Sequence, residues 1–264
     1  MSFYPLRYLP TGHVFIDPED DCHRLVDALL GTGYNEEFCL AKDFDEVFFS
    51  RLMEAGFLIM SMNLNDGKDT AEAEHTAEND TRDSGETAPA PFYIVLPKLH
   101  IVRSVLLFPD LYIKKSIRRL LDRYELRVNS DFDFLLDRCI EVHGSAWLTP
   151  PLAATLKNMR RMDMCRMDTH RMDMPARPFS FAVYRDGKLR AGEIGVVSGR
   201  VYTSYSGYHD EDNAGTVQMI LMTEWLKETG FDFLDFGMPL EYKTALGARD
   251  VTPRCFVEMF RAAH

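Results

Sequence analysis

The stretch from Phe179 to Phe236 constrains the fold of this chain most. Phe179 to Tyr184 is a run of β-forming residues, Asp186-Gly187 follows, and Leu189 to Val197 is a second run. An Asp-Gly pair between two such runs predicts a two-residue hairpin, because Gly and Asp tolerate the positive φ angles that match strand twist. Gly199 marks another turn, and Arg200 to Ser206 supplies a third strand. A helix then runs from about Ala214 to Thr229 with Gly230 at its end, and Phe231 to Phe236 is a buried strand. Phe256 to Phe260 reads as a last strand. Three antiparallel strands, a helix and a further strand predict an α+β fold with the helix packed on a sheet.

Upstream, Phe92 to Leu96 and His100 to Phe108 read as strands. Asp110 is placed to cap a helix whose stripe is Ile113, Ile117, Leu120 and Leu121. Glu125 to Val128 is a short strand, and Asp131 opens a helix with Phe132, Leu135, Leu136, Cys139 and Ile140 on one face. Thr149-Pro150 fits an N-cap followed by proline in the first turn. Nearer the N-terminus, Asp43 and Glu46 mark a helix start, Val47, Leu52 and Met53 give its stripe, and Gly56 ends it before the extended Phe57 to Met60.

Charge divides the chain. The formal net charge is −11 over 264 residues, but Asn63 to Pro91 holds eight acids against Lys68 and Arg82 and accounts for −6 of it. With almost no large apolar residue, that segment cannot bury enough surface to offset its ordering entropy and is expected to be a disordered insertion. The expected layout is an N-terminal unit, 1–62, an acidic insertion, 63–90, and a main body, 91–264. The remaining charge, −5, is mild enough to leave room for a local basic patch. A five-residue repeat begins at Arg161, Arg166 and Arg171, and is read as a biased surface loop at 160–176 in preference to a soft-metal tract. His209, Asp210, Glu211 and Asp212 read as a polar loop more readily than as a metal cluster, so no metal site is expected. Five scattered cysteines without a CxxC pair argue against a disulfide framework. The N-terminus lacks the pattern of a signal peptide, and no run of about eighteen apolar residues occurs. A cytoplasmic protein without a membrane partner is expected.

The strand and helix order suggests an acyltransferase core like that of the GCN5-related N-acetyltransferases. Within it, Gly195 to Tyr202, then Tyr205-Ser206-Gly207-Tyr208, Asn213-Ala214, Leu234-Asp235-Phe236 and Ala245-Leu246-Gly247-Ala248-Arg249 follow in order. Ala146-Trp147-Leu148-Thr149-Pro150 precedes them, and Ala55-Gly56-Phe57-Leu58-Ile59-Met60 lies further upstream. In order and spacing these motifs resemble the leucyl/phenylalanyl-tRNA–protein transferases over roughly residues 37–62 and 91–262. The resemblance implies a GCN5-related N-acetyltransferase-like core beside a small N-terminal α/β domain. It also implies transfer of a Leu- or Phe-like amino acid, or an altered one, from charged tRNA to a protein N-terminal amine. The aminoacyl-tRNA 3′ end and a protein or peptide N-terminus would be the partners of a monomer, with no cofactor beyond the aminoacyl-tRNA donor.

Aminoacyl transfer asks the protein to place an amine beside an activated ester, take up a proton and stabilise an oxyanion. Asp235 is the candidate for the proton relay; the structural alternative is a carboxylate that caps a helix or pairs with Arg249. Met60 and Trp147 are candidates for holding the terminal adenosine, and Tyr202, Glu193, Met219, Leu226 and Phe236 for the aminoacyl pocket. Lys114, Lys115, Arg118 and Arg119 either track acceptor-stem phosphates or form a solvated helix face. Against the family pattern, Tyr205 replaces a Glu, Gly237 a Gln, Met60 a Trp, Tyr242 a His and Thr216 a Lys. Glu193 stands where the family tends to be apolar, which suits a different donor such as a basic amino acid. The alternative is a catalytically impaired relative that binds protein N-termini or tRNA without turnover. An acyl-CoA transferase is disfavoured because no Gly-rich pyrophosphate loop precedes the Ala214 helix.

Overall fold

A computed structural model describes residues 4–65, 90–165 and 174–264. The N-terminal part holds β1 (Arg7–Tyr8), β2 (Val14–Phe15), α1 (Cys22–Thr32), α2 (Glu46–Glu54) and β3 (Leu58–Asn63). Next come β4 (Tyr93–Lys98), β5 (Arg103–Leu107), the single turn α3 (Lys115–Arg118), β6 (Glu125–Val128), α4 (Phe132–His143) and α5 (Pro150–Cys165). The rest is β7 (Ala176–Arg185), β8 (Lys188–Ser198), β9 (Val201–His209), α6 (Ala214–Glu228), β10 (Phe233–Gly237), α7 (Glu241–Ala245), β11 (Arg249–Val251) and α8 (Pro253–Ala262).

Seven strands form one mixed sheet in the order β11-β5-β10-β9-β8-β7-β6. The β7–β8 turn is the expected hairpin, with Asp186 at φ 52° and Gly187 at φ 70°. Strands β9 and β10 pair in parallel, which requires a crossover, and α6 provides it. Strand β10 also pairs antiparallel with β5, placing Asp235 opposite Val105 and Gly237 opposite Ser104, with a register shift between Asp235 and Gly237. The arrangement is a mixed α/β fold with one large sheet.

Helices cover both faces. On one face, Val217, Ile220, Met222 and Leu226 of α6 pack on Phe181, Tyr202, Leu234 and Phe236. On the other, α2, α4, α5 and α8 contribute Phe48, Leu135, Leu156 and Phe256 to a cluster with Ala182, Ile194, Val201 and Phe233. Leu25, Val26 and Leu29 of α1 and Ile59 of β3 belong to that same cluster, so residues before the acidic insertion share a core with the main sheet. Strands β3 and β4 pair antiparallel from Leu58 opposite Lys98 to Asn63 opposite Tyr93. Among the described residues no helix is long and apolar enough to cross a membrane.

Several local expectations are corrected. Phe256 to Phe260 lies in α8, not a strand. Thr252 caps that helix by accepting from Cys255 N, Pro253 opens it, and Phe256 and Phe260 fall one turn apart on its buried side. Asp45, not Asp43, caps α2, accepting from Phe48 N at 2.7 Å. Asp110 caps no long helix; it ends a 3-10 turn at Phe108–Asp110. The chain then runs extended, Tyr112 N donating to Leu246 O at 2.9 Å, and only Lys115–Arg118 is α-helical. The loop expected at 160–176 is narrower, because the first repeat copy, Arg161 to Cys165, continues α5 and Ala176 already belongs to β7. The second copy and the first three residues of the third lie outside the described residues, as does most of the acidic insertion.

Candidate active site

Asp235 sits in the interior strand β10 and is fully buried. A carboxylate there needs compensation, and Arg103 at the start of β5 supplies it. Arg103 Nε donates to Oδ1 at 2.8 Å and Nη2 to Oδ2 at 2.6 Å, a bidentate pair of the strong, orienting kind. Thr203 Oγ1 donates to Oδ2 at 2.9 Å, and the Gly237 backbone N–H donates to Oδ1 at 2.9 Å. The arginine is itself buried and lies over the Phe256 ring, 4.1 Å from its centroid. Its Nη1 has no hydrogen-bond partner. The arginine partner foreseen from sequence was Arg249; that residue is exposed on β11, and Arg103 holds the carboxylate instead.

Tyr205, half-buried on β9, lines a narrow gap with Arg103, Thr203, Ser198, Phe57 and Phe260. Its hydroxyl accepts from Ile59 N at 3.1 Å, tying the main sheet to β3. Burial pushes its pKa above the ordinary phenol value. Met60 follows Ile59 and is half-buried. Trp147 packs partly buried on the same core, and its carbonyl accepts from Ser61 N at 3.0 Å. Asp235, Gly237, Tyr205, Met60 and Trp147 are thus linked through β3, β9 and β10.

The residues foreseen as an aminoacyl pocket lie on the α6 face. Tyr202 is fully buried in an aromatic group with Phe181, 5.1 Å between ring centroids. Glu193 is 4% exposed and accepts from Gln218 Nε2 at 3.3 Å, while its Oε1 and the Tyr202 hydroxyl are buried without a hydrogen bond of good geometry. Burial pushes the Glu193 carboxyl up to about 7. Phe236 and Leu226 are buried in this layer, and Met219 packs against it. The sheet therefore separates this group from the Asp235 carboxylate.

Lys114, Lys115, Arg118 and Arg119 are all exposed, and none forms an ion pair among the described residues. Glu211 is bound into the fold, with Tyr124 Oη donating to it at 2.8 Å and Arg190 Nε 3.2 Å away. Among the described residues no three His, Cys, Asp or Glu side chains converge as a metal site would require.

Three side chains were not read from the sequence. Arg103 is the first; an arginine opening an otherwise apolar strand was the available signal. Lys243 is the second, buried with its ammonium donating to Phe236 O at 2.7 Å and Met238 O at 2.8 Å; burial lowers its pKa. His100 is the third, 4% exposed with Nε2 unpartnered. Burial first, then the charges of Arg103, Lys98 and Lys243, holds its pKa down to about 2, so the ring is neutral.

The sequence profile of the leucyl/phenylalanyl-tRNA protein transferases matches residues 105–261, from β5 through α8. The chain belongs to this family. Among curated leucyl/phenylalanyl-tRNA–protein transferases, that of Pseudomonas paraeruginosa strain PA7 is 26% identical over 161 residues, covering 59% of this chain. That of Pseudomonas putida strain W619 is 29% identical over 161 residues, also 59% of this chain. The chain spans just under two thirds, 66%, of the length of these transferases. A DUF2156 C-terminal domain from Agrobacterium fabrum is similar at 10% identity, covering 91% of this chain and 72% of that one, with a TM-score of 0.32. That score is too low for the likeness to carry an argument. Asp235, Tyr205 and Gly237 fall inside the transferase match, whereas Met60, His100 and Arg103 precede it.

Proposed function

We propose that this chain is a cytoplasmic aminoacyltransferase that moves an amino acid from charged tRNA to the α-amine of a protein or peptide. The family match over residues 105–261 carries this reading. In it, a GCN5-related N-acetyltransferase-like core acts as a monomer, with residues 1–62 forming a small N-terminal unit that shares its hydrophobic core. No cofactor beyond the aminoacyl-tRNA donor is invoked.

The ester of a charged tRNA is already activated, so positioning and charge stabilisation supply most of the catalysis. Asp235 fixes the guanidinium of Arg103, whose unpartnered Nη1 is available to the developing oxyanion. Tyr205 and Gly237 complete the floor of the reaction centre, and Met60 and Trp147 hold the terminal adenosine. Glu193, Tyr202, Met219, Leu226 and Phe236 lie across the sheet from this centre, so they bear on donor preference through the strands they pack on and not by lining the reaction centre. Lys114, Lys115, Arg118 and Arg119 are exposed and unpaired among the described residues, which suits contact with acceptor-stem phosphates.

The test is incubation of the purified protein with total tRNA charged with labelled amino acids and peptides of varied N-terminal residue. Label on a peptide class supports the reading. A folded protein that transfers none with any charged tRNA overturns it. A second reading, a relative that binds charged tRNA or protein N-termini without turnover, is favoured by one observation. Asp235 already accepts four hydrogen bonds, so its two oxygens are fully engaged within the fold. Saturable tRNA or peptide binding without label transfer would support that reading.

A further inference from the structure

Gly237 leaves a place that another residue fills. It ends β10 at φ 66°, and a Cβ built on it would lie 3.5 Å from His100 Nε2 and 3.3 Å from Leu58 Cδ1. The imidazole of His100 therefore occupies the direction a side chain at 237 would take. Its Nε2 is buried without a partner, an arrangement that is destabilising unless something completes it. Nearby, Gly237 N–H points to Asp235 and the Lys243 ammonium is held by Phe236 O and Met238 O. None of these groups turns to the imidazole nitrogen.

The exposed side chains at this end of the sheet are unusually apolar. Ile101 and Val102, just before β5, are exposed, and so are Met238, Leu240 and Tyr242, just after β10. Because β5 and β10 run antiparallel with Ser104 opposite Gly237, both segments leave the sheet at the same end. An unsatisfied ring nitrogen thus lies at the end of the sheet where apolar side chains face solvent, beside the end of β10, the strand that carries Asp235.

We propose that His100 Nε2 accepts a hydrogen bond from the attacking α-amine, performing the positioning task for which Gly237 has no side chain; this rests on the transfer reaction proposed above. The ring takes the tautomer protonated on Nδ1. The amine nitrogen bonds to the ester carbonyl carbon, and the bond from that carbon to the ribose oxygen breaks. One amine proton passes to the departing ribose oxygen, and the N–H that remains in the new amide is the one held by His100. The low pKa of His100, about 2, keeps this lone pair free at every working pH. His100 is a positioning residue, and Ile101, Val102 and Met238 give the acceptor's first side chain an apolar surface.

The experiment follows His100 in two ways. In the transfer assay, His100→Ala is expected to lower kcat about 10-fold with a smaller change in peptide KM, and free imidazole is expected to restore part of the rate. An unchanged kcat, or a loss that imidazole does not relieve while His100→Gln is equally inactive, overturns the proposal. Independently of turnover, the ¹⁵N resonance of His100 Nε2 is expected to shift when peptides with a free N-terminus are titrated in, and to stay put with N-acetylated ones. No free-amine peptide moving the resonance overturns the proposal. A shift from a protein that transfers nothing upholds the amine site and overturns the transferase reading instead.

Discussion

Arg103 and Asp235 meet through two parallel hydrogen bonds, 2.8 and 2.6 Å, with the arginine 1% and the aspartate 0% exposed. Neither charge has water to fall back on, so each depends on the other. Replacing such a pair by apolar side chains is often tolerated, whereas removing one member leaves a bare buried charge. Arg103→Met is therefore expected to lower unfolding free energy by about 3–5 kcal/mol. The double variant Arg103→Met, Asp235→Leu should be more stable than that single variant. Urea unfolding of the three proteins checks this; a double variant no better than Arg103→Met refutes it.

Glu193 and His100 give stability opposite dependences on pH. Glu193 is raised to about 7, so between roughly pH 4.5 and 7 the folded state holds a proton the unfolded state has lost, and stability falls as pH rises. His100 is lowered to about 2, so below roughly pH 6.5 the unfolded state takes up a proton the folded state refuses, and stability falls as pH drops. Near pH 5.5 the two contributions are about one proton each and cancel. Glu193→Gln should uncover stability that rises with pH there, and His100→Gln stability that falls. Denaturation midpoints from pH 4.5 to 7 measure both slopes.

Tyr205→Phe removes the hydroxyl that accepts from Ile59 N and leaves that amide without its partner. A loss of about 1–3 kcal/mol is expected, with faster amide exchange at Ile59. Protection at Ile59 equal to that of the parent protein would show that the bond contributes nothing.

The exposed cations of the α3 region bear on RNA. If they track phosphates, changing Lys114 and Lys115 to Ala should weaken charged-tRNA binding. It should also reduce the slope of log affinity against log salt by roughly 1–2. Equal slopes for the parent and variant would assign this run to the solvated surface alone.

Much of the architecture could be read locally. The Asp186-Gly187 hairpin, α6 and β10 each carry their signal within a few residues, and the structure has all three. Phe256-Val257 taken alone has the character of a strand, and what makes the segment a helix is the capping Thr252-Pro253 just upstream. The helix expected after Asp110 failed because a distant carbonyl, Leu246 O, holds Tyr112 extended. Of the central pair, Asp235 stood out within a motif. Arg103 and His100 did not, because what marks them is burial and a partner, or a vacancy, contributed by strands far away in sequence.

That distance has a consequence for how the molecule comes into being. Arg103 and Asp235 are 132 residues apart in the chain, and they meet only when β10 is inserted between β5 and β9. Closing so long a span is entropically costly and comes late among native contacts. While the chain emerges and collapses, the aspartate and arginine stay in water, where each is comfortable. Only a sheet in the correct strand order and register removes both from solvent together. A slip of β10 by one residue would turn the carboxylate to the α6 face and strand the guanidinium. The charges that organise the centre thus penalise a misassembled sheet, because only the native strand order and register pairs them.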